Sequence, residues 1–287
     1  MKENGKKSIL VLEGGAMRGL FTAGVIDVFM ENNIVFEGGA GISAGAVFGC
    51  NYKSKQPGRA LRYNLKYCQD KRYGTIESLI KTGDMYDADF CYRELPIELD
   101  PFDVETYRNN PMEFIVGATN VKTGKAVYHR SRNGLGRDML WMQASASMPL
   151  VSQPVYVDGM DLLDGGIADS VPYRVMEELG YNRNVIILTQ PKGYRKEKSL
   201  AIPLMKILMR QYPRVIRTME KRHDVYNRQM EEIAGREARG DAFVIRPPQA
   251  LNIGRVEKNP EELQRVYDIG RREGLRLLDA VKAFLGE

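Results

Sequence analysis

This 287-residue sequence predicts an α/β fold, with a mainly parallel central sheet and helices on both faces. Three observations carry that prediction. Short, continuous apolar runs such as Ser8–Leu12 and Val185–Leu188 have the pattern of strands buried on both faces. Helical patterns alternate with such runs through the first two thirds of the chain. The Ser43–Asn51 segment is rich in small residues (Ala44, Gly45, Ala46, Gly49), which lets a helix lie close on a sheet.

The elements follow in order. Gly19–Asn32 is a helix with little polar face, so it is expected to be largely buried. Phe36–Ile42 is the second strand. Pro57–Asp70 reads as an amphipathic helix, and Thr75–Pro101 is less regular. Met112–Thr119 is a strand, and Lys125–Arg130 pairs with it through the turn Lys122-Thr123-Gly124. Arg137–Met148 is a helix stopped by Pro149. Val155–Val157 and Asp161–Leu163 flank Asp158-Gly159-Met160 as a hairpin. Val171–Leu179 is a helix ended by Gly180. Beyond Pro191 a basic loop, Lys192–Lys198, leads to apolar Leu200–Met209 and a long basic helical stretch. A last strand, Ala242–Ile245, is closed by Pro247-Pro248, and Pro260–Leu285 is a terminal amphipathic helix.

Composition narrows the function classes. Hydrophobic content of 43% and charged content of 28% are ordinary for a globular protein. No apolar run approaches the roughly 20 residues that span a bilayer. The polar start, Met1 to Lys7, leads straight into a strand and lacks the pattern of a secretory leader. Cys50, Cys68 and Cys91 are odd in number and without metal-ligand spacing, as expected of reduced, cytoplasmic thiols filling a core. With only His129 and His223, a histidine-rich metal site is not expected, nor is there a calcium-loop pattern; no cofactor or metal requirement is predicted. Between Lys192 and Arg239 there are 13 Lys and Arg against 6 Asp and Glu, hence +7, leaving −2 for the rest of a chain of +5. Such a basic segment can meet the phosphates of a membrane surface or of nucleic acid; a solvated helical face is the commoner case, and nucleic acid is not the expected partner.

Two short motifs carry chemistry. Gly14-Gly15-Ala16-Met17-Arg18-Gly19 follows the first strand and can present free backbone N–H groups. Gly41-Ile42-Ser43-Ala44-Gly45 follows the second and can hold the Ser43 hydroxyl on a sharp strand-to-helix turn, with Gly41 and Gly45 bare on either side. Read alone, the second is equally a tight turn with a helix-capping serine. The first does not fit a dinucleotide fingerprint, because Ala16 stands where a glycine is needed, and no phosphate-loop pattern is present. Together the two suggest an oxyanion hole beside a nucleophile. Arg18 would brace the glycine loop through carbonyls or a carboxylate. Serine needs a base. Asp164, after the strand Asp161–Leu163 and before Gly165-Gly166, is the first candidate, with Asp158 and Asp169 as competing carboxylates.

These motifs resemble the patatin-like phospholipase family, together with Ala144-Ser145-Ala146-Ser147-Met148-Pro149 and Asp169-Ser170-Val171-Pro172. The resemblance runs from about Ser8 to about Leu188, with the motifs in the family's order. It implies a dyad of Ser43 and Asp164 and an oxyanion hole from the Gly14–Gly19 loop, centred on Gly15, Ala16 and Met17. The family loop usually has a third glycine where Ala16 stands, and a methyl group there disfavours positive φ. The implied division is a catalytic domain over 5–190 and a mostly helical region over 191–287 packed on it. The implied activity is lipid acyl-ester hydrolysis by a cytoplasmic enzyme, with peripheral membrane contact through 192–239. A non-catalytic lipid- or membrane-binding module of the same fold is the other reading. Chain order also permits a Ser43–Asp164–His223 triad. His223 lies in a charged helical stretch, however, and is expected at the surface, while His129 is a strand residue.

Overall fold

A computed structural model describes residues 7–286. The polar residues 1–6, including the start of the 5–190 division and the segment read as no leader, lie outside the described residues. Among the described residues eight strands form one mixed sheet: β1 (Ser8–Leu12), β2 (Gly38–Ile42), β3 (Glu113–Asn120), β4 (Ala126–Ser131), β5 (Val155–Val157), β6 (Met160–Asp164), β7 (Arg183–Ile187) and β8 (Ala242–Ile245). The order across the sheet is β5-β6-β3-β2-β1-β7-β8, with β4 also paired to β3. The run β3-β2-β1-β7-β8 is parallel, while β4, β5 and β6 are antiparallel additions at one side. The predicted fold class holds.

The central strands β1 and β2 are buried at every residue, which is why they read as unbroken apolar or small runs instead of alternating. Helices α1 (Gly19–Glu31) and α2 (Ala44–Lys53) follow β1 and β2, and both are almost wholly buried. Helix α3 spans Arg59–Tyr67. The segment whose pattern was irregular holds α4 (Ile76–Thr82) and a π-helical stretch, Phe90–Leu99, containing Pro96. Proline lacks the N–H that an α-helix would need there, so the sequence shows no clean 3.6-residue period. Short α5 (Val104–Asn109), α6 (Arg137–Ala146) and α7 (Tyr173–Glu178) complete the part before β7.

After β7 come α8 (Ile202–Leu208), α9 (Pro213–Arg239), β8 and α10 (Pro260–Leu285). Strand β8 runs parallel to β7 in the same sheet. Helix α10 lies along α1, its Gly270 against the Phe21 backbone and α1's Gly24 against the Tyr267 backbone. The Tyr267 hydroxyl donates to Asp27 at 2.7 Å and the Gly58 N–H to the same oxygen at 2.8 Å. Burial still pushes the Asp27 carboxyl up to about 6. The three cysteines are free.

Candidate active site

Strand register brings the key residues together. Ile42, the end of β2, pairs with Gly117 of β3, and the next β3 residue, Ala118, pairs with Asp164 at the end of β6. Ser43 and Asp164 are 121 positions apart in numbering, yet they stand at neighbouring strand ends around β3.

Ser43 has φ 54° and ψ −125°, a conformation that costs a non-glycine residue on the order of 1–3 kcal/mol. Surrounding contacts hold it there. Its N–H donates to Ser145 Oγ at 2.8 Å, and Ser145 Oγ donates to the Gly117 carbonyl at 2.6 Å. Its carbonyl receives the N–H groups of Ala46 and Val47 at 2.9 and 3.0 Å. The hydroxyl does not cap α2. It lies close enough to the Asp164 carboxylate to oppose the rise in that group's pKa. Gly41 and Gly45 contribute differently from the expectation. Neither takes positive φ; the strain rests on Ser43. A Cβ on Gly45 would stand 2.5 Å from the Leu12 carbonyl oxygen, and one on Gly41 2.6 Å from the Ala46 nitrogen. These glycines let α2 approach β1 and β2 closely enough to form the elbow.

Asp164 is buried, 7% exposed, yet fully engaged. It accepts the Gly166 N–H at 2.7 Å, its own N–H donates to the Ser147 carbonyl at 2.8 Å, and its carbonyl accepts Thr119 Oγ1 at 2.9 Å. Burial raises its carboxyl above the ordinary 3.8, opposed by the Ser43 hydroxyl, the Arg222 charge and the Gly166 N–H. A carboxylate held that way is a stronger base than an exposed one. Gly165 and Gly166 open a 3₁₀ turn that aims the Gly166 N–H back at it.

In the glycine loop the Gly14 N–H is used, donating to the Ser170 carbonyl at 3.4 Å. Ala16 takes φ 49°, the positive value its methyl group disfavours, and starts the 3₁₀ turn Ala16–Arg18 that runs into α1 at Gly19. The N–H groups of Gly15, Ala16 and Met17 meet no backbone carbonyl among the described residues. Ala16, Met17 and Ser43 border the same cavity. Arg18 departs from expectation: it does not brace the loop, and its buried Nε has no partner among the described residues. The loop is instead tied by Glu13, whose carboxylate accepts the Thr189 N–H at 2.5 Å, Thr189 Oγ1 at 3.1 Å and the Tyr226 hydroxyl at 2.8 Å. A buried carboxylate between an apolar strand and a glycine loop was the available signal for that role.

The remaining candidates lie elsewhere. Asp158 pairs with Arg137 at 2.7 Å and accepts Trp141 Nε1 at 2.7 Å. Asp169 accepts the Tyr128 hydroxyl at 2.6 Å and Gln229 Nε2 at 2.5 Å. His129, on β4, stacks on Trp141 and meets Asp138 at 2.6 Å. His223 is on α9 with Asp224 at 3.4 Å. Sequence reasoning gave Ser145 and Ser147 no role of their own, although the segment Ala144–Pro149 was singled out. They hold the backbone of Ser43 and of Asp164 respectively. Ser145→Ala is expected to strand the Ser43 N–H and lower kcat for p-nitrophenyl butyrate roughly tenfold, with about 1–3 kcal/mol lost in denaturant unfolding. Unchanged kinetics would remove Ser145 from the elbow.

A cavity opens beside Ser43. Its walls are mainly apolar: Met17, Val47 and Phe48, then Tyr86, Tyr92 and Leu95 from the irregular segment, then Met139 and Met142 of α6. Burial pushes the Cys50 thiol on this wall up to about 12, so it is a core filler and not a reactive group.

Residues 10–176 match the family model described as patatin-like phospholipase, more than half of the chain. The chain belongs to the patatin-like phospholipase family. Residues 212–286 match a second model, a domain of unknown function, DUF6363. Over 97% of this chain and 79% of the other, the sequence is 25% identical to the uncharacterized protein YjjU of Escherichia coli K12. It is 27% identical over 61% of its length to lysophospholipase nte1 of Aspergillus niger, and 28% over 60% to lysophospholipase nte1 of Emericella nidulans; the match spans 11% of each of those fungal chains. Among solved structures, VipD from Legionella pneumophila superimposes with a TM-score of 0.47 and 12% identity, over 96% of this chain and 67% of that one. Among the described residues, no helix is long and apolar enough to cross a membrane.

Proposed function

We propose that this chain is a lipid acyl hydrolase, of the phospholipase A, lysophospholipase or esterase type, working through a Ser43 acyl-enzyme with Asp164 as general base. The observation that carries the reading is Ser43, held on a strained turn near the buried Asp164 carboxylate, at the edge of a mainly apolar cavity. Ser43 Oγ attacks the ester carbonyl carbon while its proton passes to Asp164. The carbonyl oxygen takes up the negative charge and is met by the free N–H groups of Gly15, Ala16 and Met17. The tetrahedral intermediate collapses, the leaving alkoxide takes the proton from Asp164, and the acyl group stays on Ser43. Water then attacks the acyl carbon, giving its proton to Asp164, and the carboxylic acid leaves as Ser43 regains its proton. The acyl chain occupies the apolar cavity. The two relatives named lysophospholipase support a lipid ester as substrate.

The division into a catalytic unit over 5–190 and a helical region over 191–287 is part of the same proposal, as is contact with a lipid surface. Helix α8 supports the latter. It buries Ile202 and Met205 against α9 but exposes Leu204, Ile207 and Leu208, next to the almost fully exposed Leu200. Exposed apolar side chains beside Lys206, Arg210 and Arg214 suit an anionic bilayer surface.

A fluorophosphonate probe tests the central claim. It is expected to label Ser43 in folded protein, located by peptide mass analysis. Folded protein that stays unlabelled would favour the non-catalytic lipid-binding module.

A further inference from the structure

Outside the lining of the apolar cavity, four cations outnumber the two carboxylates near them, Asp164 and Glu13. Arg222, on α9, donates from Nε to the carbonyl of Gly166. A Cβ placed on Gly166 would stand 3.3 Å from Arg222 Nη2 and 3.0 Å from Asp164 Oδ1, so the guanidinium adjoins the base. One turn further along α9, the Tyr226 ring lies under Lys196 Nζ at 4.3 Å, and its hydroxyl reaches Glu13 at the root of the glycine loop. Asn227 grips the Lys196 backbone from both sides, at 2.8 and 3.0 Å. Arg18 closes the glycine loop with its buried, unpartnered Nε. Arg255, exposed on the loop between β8 and α10, adds charge felt at Asp164, Arg222 and Lys196. None of these four cations pairs with a carboxylate within 4.0 Å among the described residues, and the two nearby carboxylates are already bound by hydroxyl and N–H donors. Burial, and then the neighbouring Arg222 charge, push the Lys196 ammonium down to about 8.

Cations in excess over carboxylates in a partly desolvated place cost free energy, and a bound anion offsets that cost. None of the four cations lines the acyl cavity, although Arg18's neighbours Ala16 and Met17 do. We propose that Arg18, Lys196, Arg222 and Arg255 form a subsite for a phosphate carried by the leaving alcohol. The preferred substrate is then an acyl ester of a phosphorylated alcohol whose phosphate bears no quaternary ammonium, because such a group would sit among four positive charges. This inference rests on the acyl-hydrolase reading. Three of its four residues come from beyond residue 190, giving the C-terminal region a part in choosing the substrate.

The test compares kcat/KM for monoacylglycerol phosphate, monoacylglycerophosphocholine and monoacylglycerol of one acyl chain, below their micelle concentrations. Wild type is expected to favour the first about tenfold or more, and Arg255→Met or Lys196→Met to collapse that ratio toward one. The ratio cancels a general loss of active enzyme, and Arg255, being exposed, gives a variant that folds if Lys196→Met does not. In Ser43→Ala protein, glycerol phosphate is expected to bind by calorimetry, and adding Arg255→Met to weaken it. Active wild-type enzyme with equal kcat/KM on all three esters overturns the subsite and leaves the hydrolase standing. Inorganic phosphate binding more tightly than glycerol phosphate makes free phosphate the ligand and overturns the substrate claim. Hydrolysis of none of the three, nor of p-nitrophenyl esters, overturns the hydrolase reading and this inference with it.

Discussion

Ser43→Ala is expected to abolish hydrolysis of p-nitrophenyl acyl esters and covalent labelling together, a fall in kcat of roughly 10⁴-fold or more. The size follows from the mechanism. Without the hydroxyl no acyl-enzyme forms, and the oxyanion donors can only assist direct attack by water. The same position allows a second measurement that separates chemistry from folding. Ser43 is held at φ 54°, where alanine is strained much as serine is and glycine is not. Ser43→Gly is therefore expected to be as inactive as Ser43→Ala but more stable than it by about 1 kcal/mol in denaturant unfolding. Inactive variants with that stability order support a nucleophile held on a strained turn. Activity retained in both places the nucleophile elsewhere.

Asp164→Asn is expected to cost roughly 10³–10⁴-fold in kcat, because the amide keeps the shape and the Gly166 hydrogen bond but cannot take the serine proton. Its effect on stability has the opposite sign. Burial raises the Asp164 pKa in the folded protein above the unfolded value. At pH above the folded value the folded state bears the cost of a buried charge; that cost shrinks as pH falls through the folded value and is gone below the unfolded value near 3.8. Asparagine removes the cost at neutral pH, so the variant should melt at or above the wild-type temperature at pH 7. In wild type, kcat is expected to fall on the acid side as Asp164 becomes protonated, with a midpoint above the ordinary carboxylate value. His223→Ala should leave that limb in place. Loss of activity in folded His223→Ala would instead revive the Ser43–Asp164–His223 triad.

Much of this molecule was legible in its residues. The buried strands β1, β2 and β7 are apolar or small throughout, and α1 lacks a polar face, because a sheet covered on both sides leaves no position for water. Turn chemistry located the hairpin around Asp158-Gly159 and the ends of several helices. The segment over 75–101 resisted reading because its helix is π-type and contains Pro96. Arg18 was illegible for a different reason: a loop arginine has many potential partners, and only packing shows that its Nε meets none among the described residues.

By itself the sequence determined the fold class, the two glycine-flanked turns and the candidate carboxylates, since each depends on local periodicity, turn geometry or residue chemistry. It ranked Asp164 ahead of Asp158 and Asp169 from the strand before it and the two glycines after it, but could not bring any of the three to Ser43. Proximity comes from the tertiary structure. The pairing of Ile42 with Gly117 and of Ala118 with Asp164 sets one carboxylate beside Ser43, while Arg137 and Trp141 occupy Asp158 and Tyr128 and Gln229 occupy Asp169. The gathering of Arg18, Lys196, Arg222 and Arg255 was equally invisible, because their proximity comes from sheet order and helix packing, which bring together residues from four separate stretches of the chain.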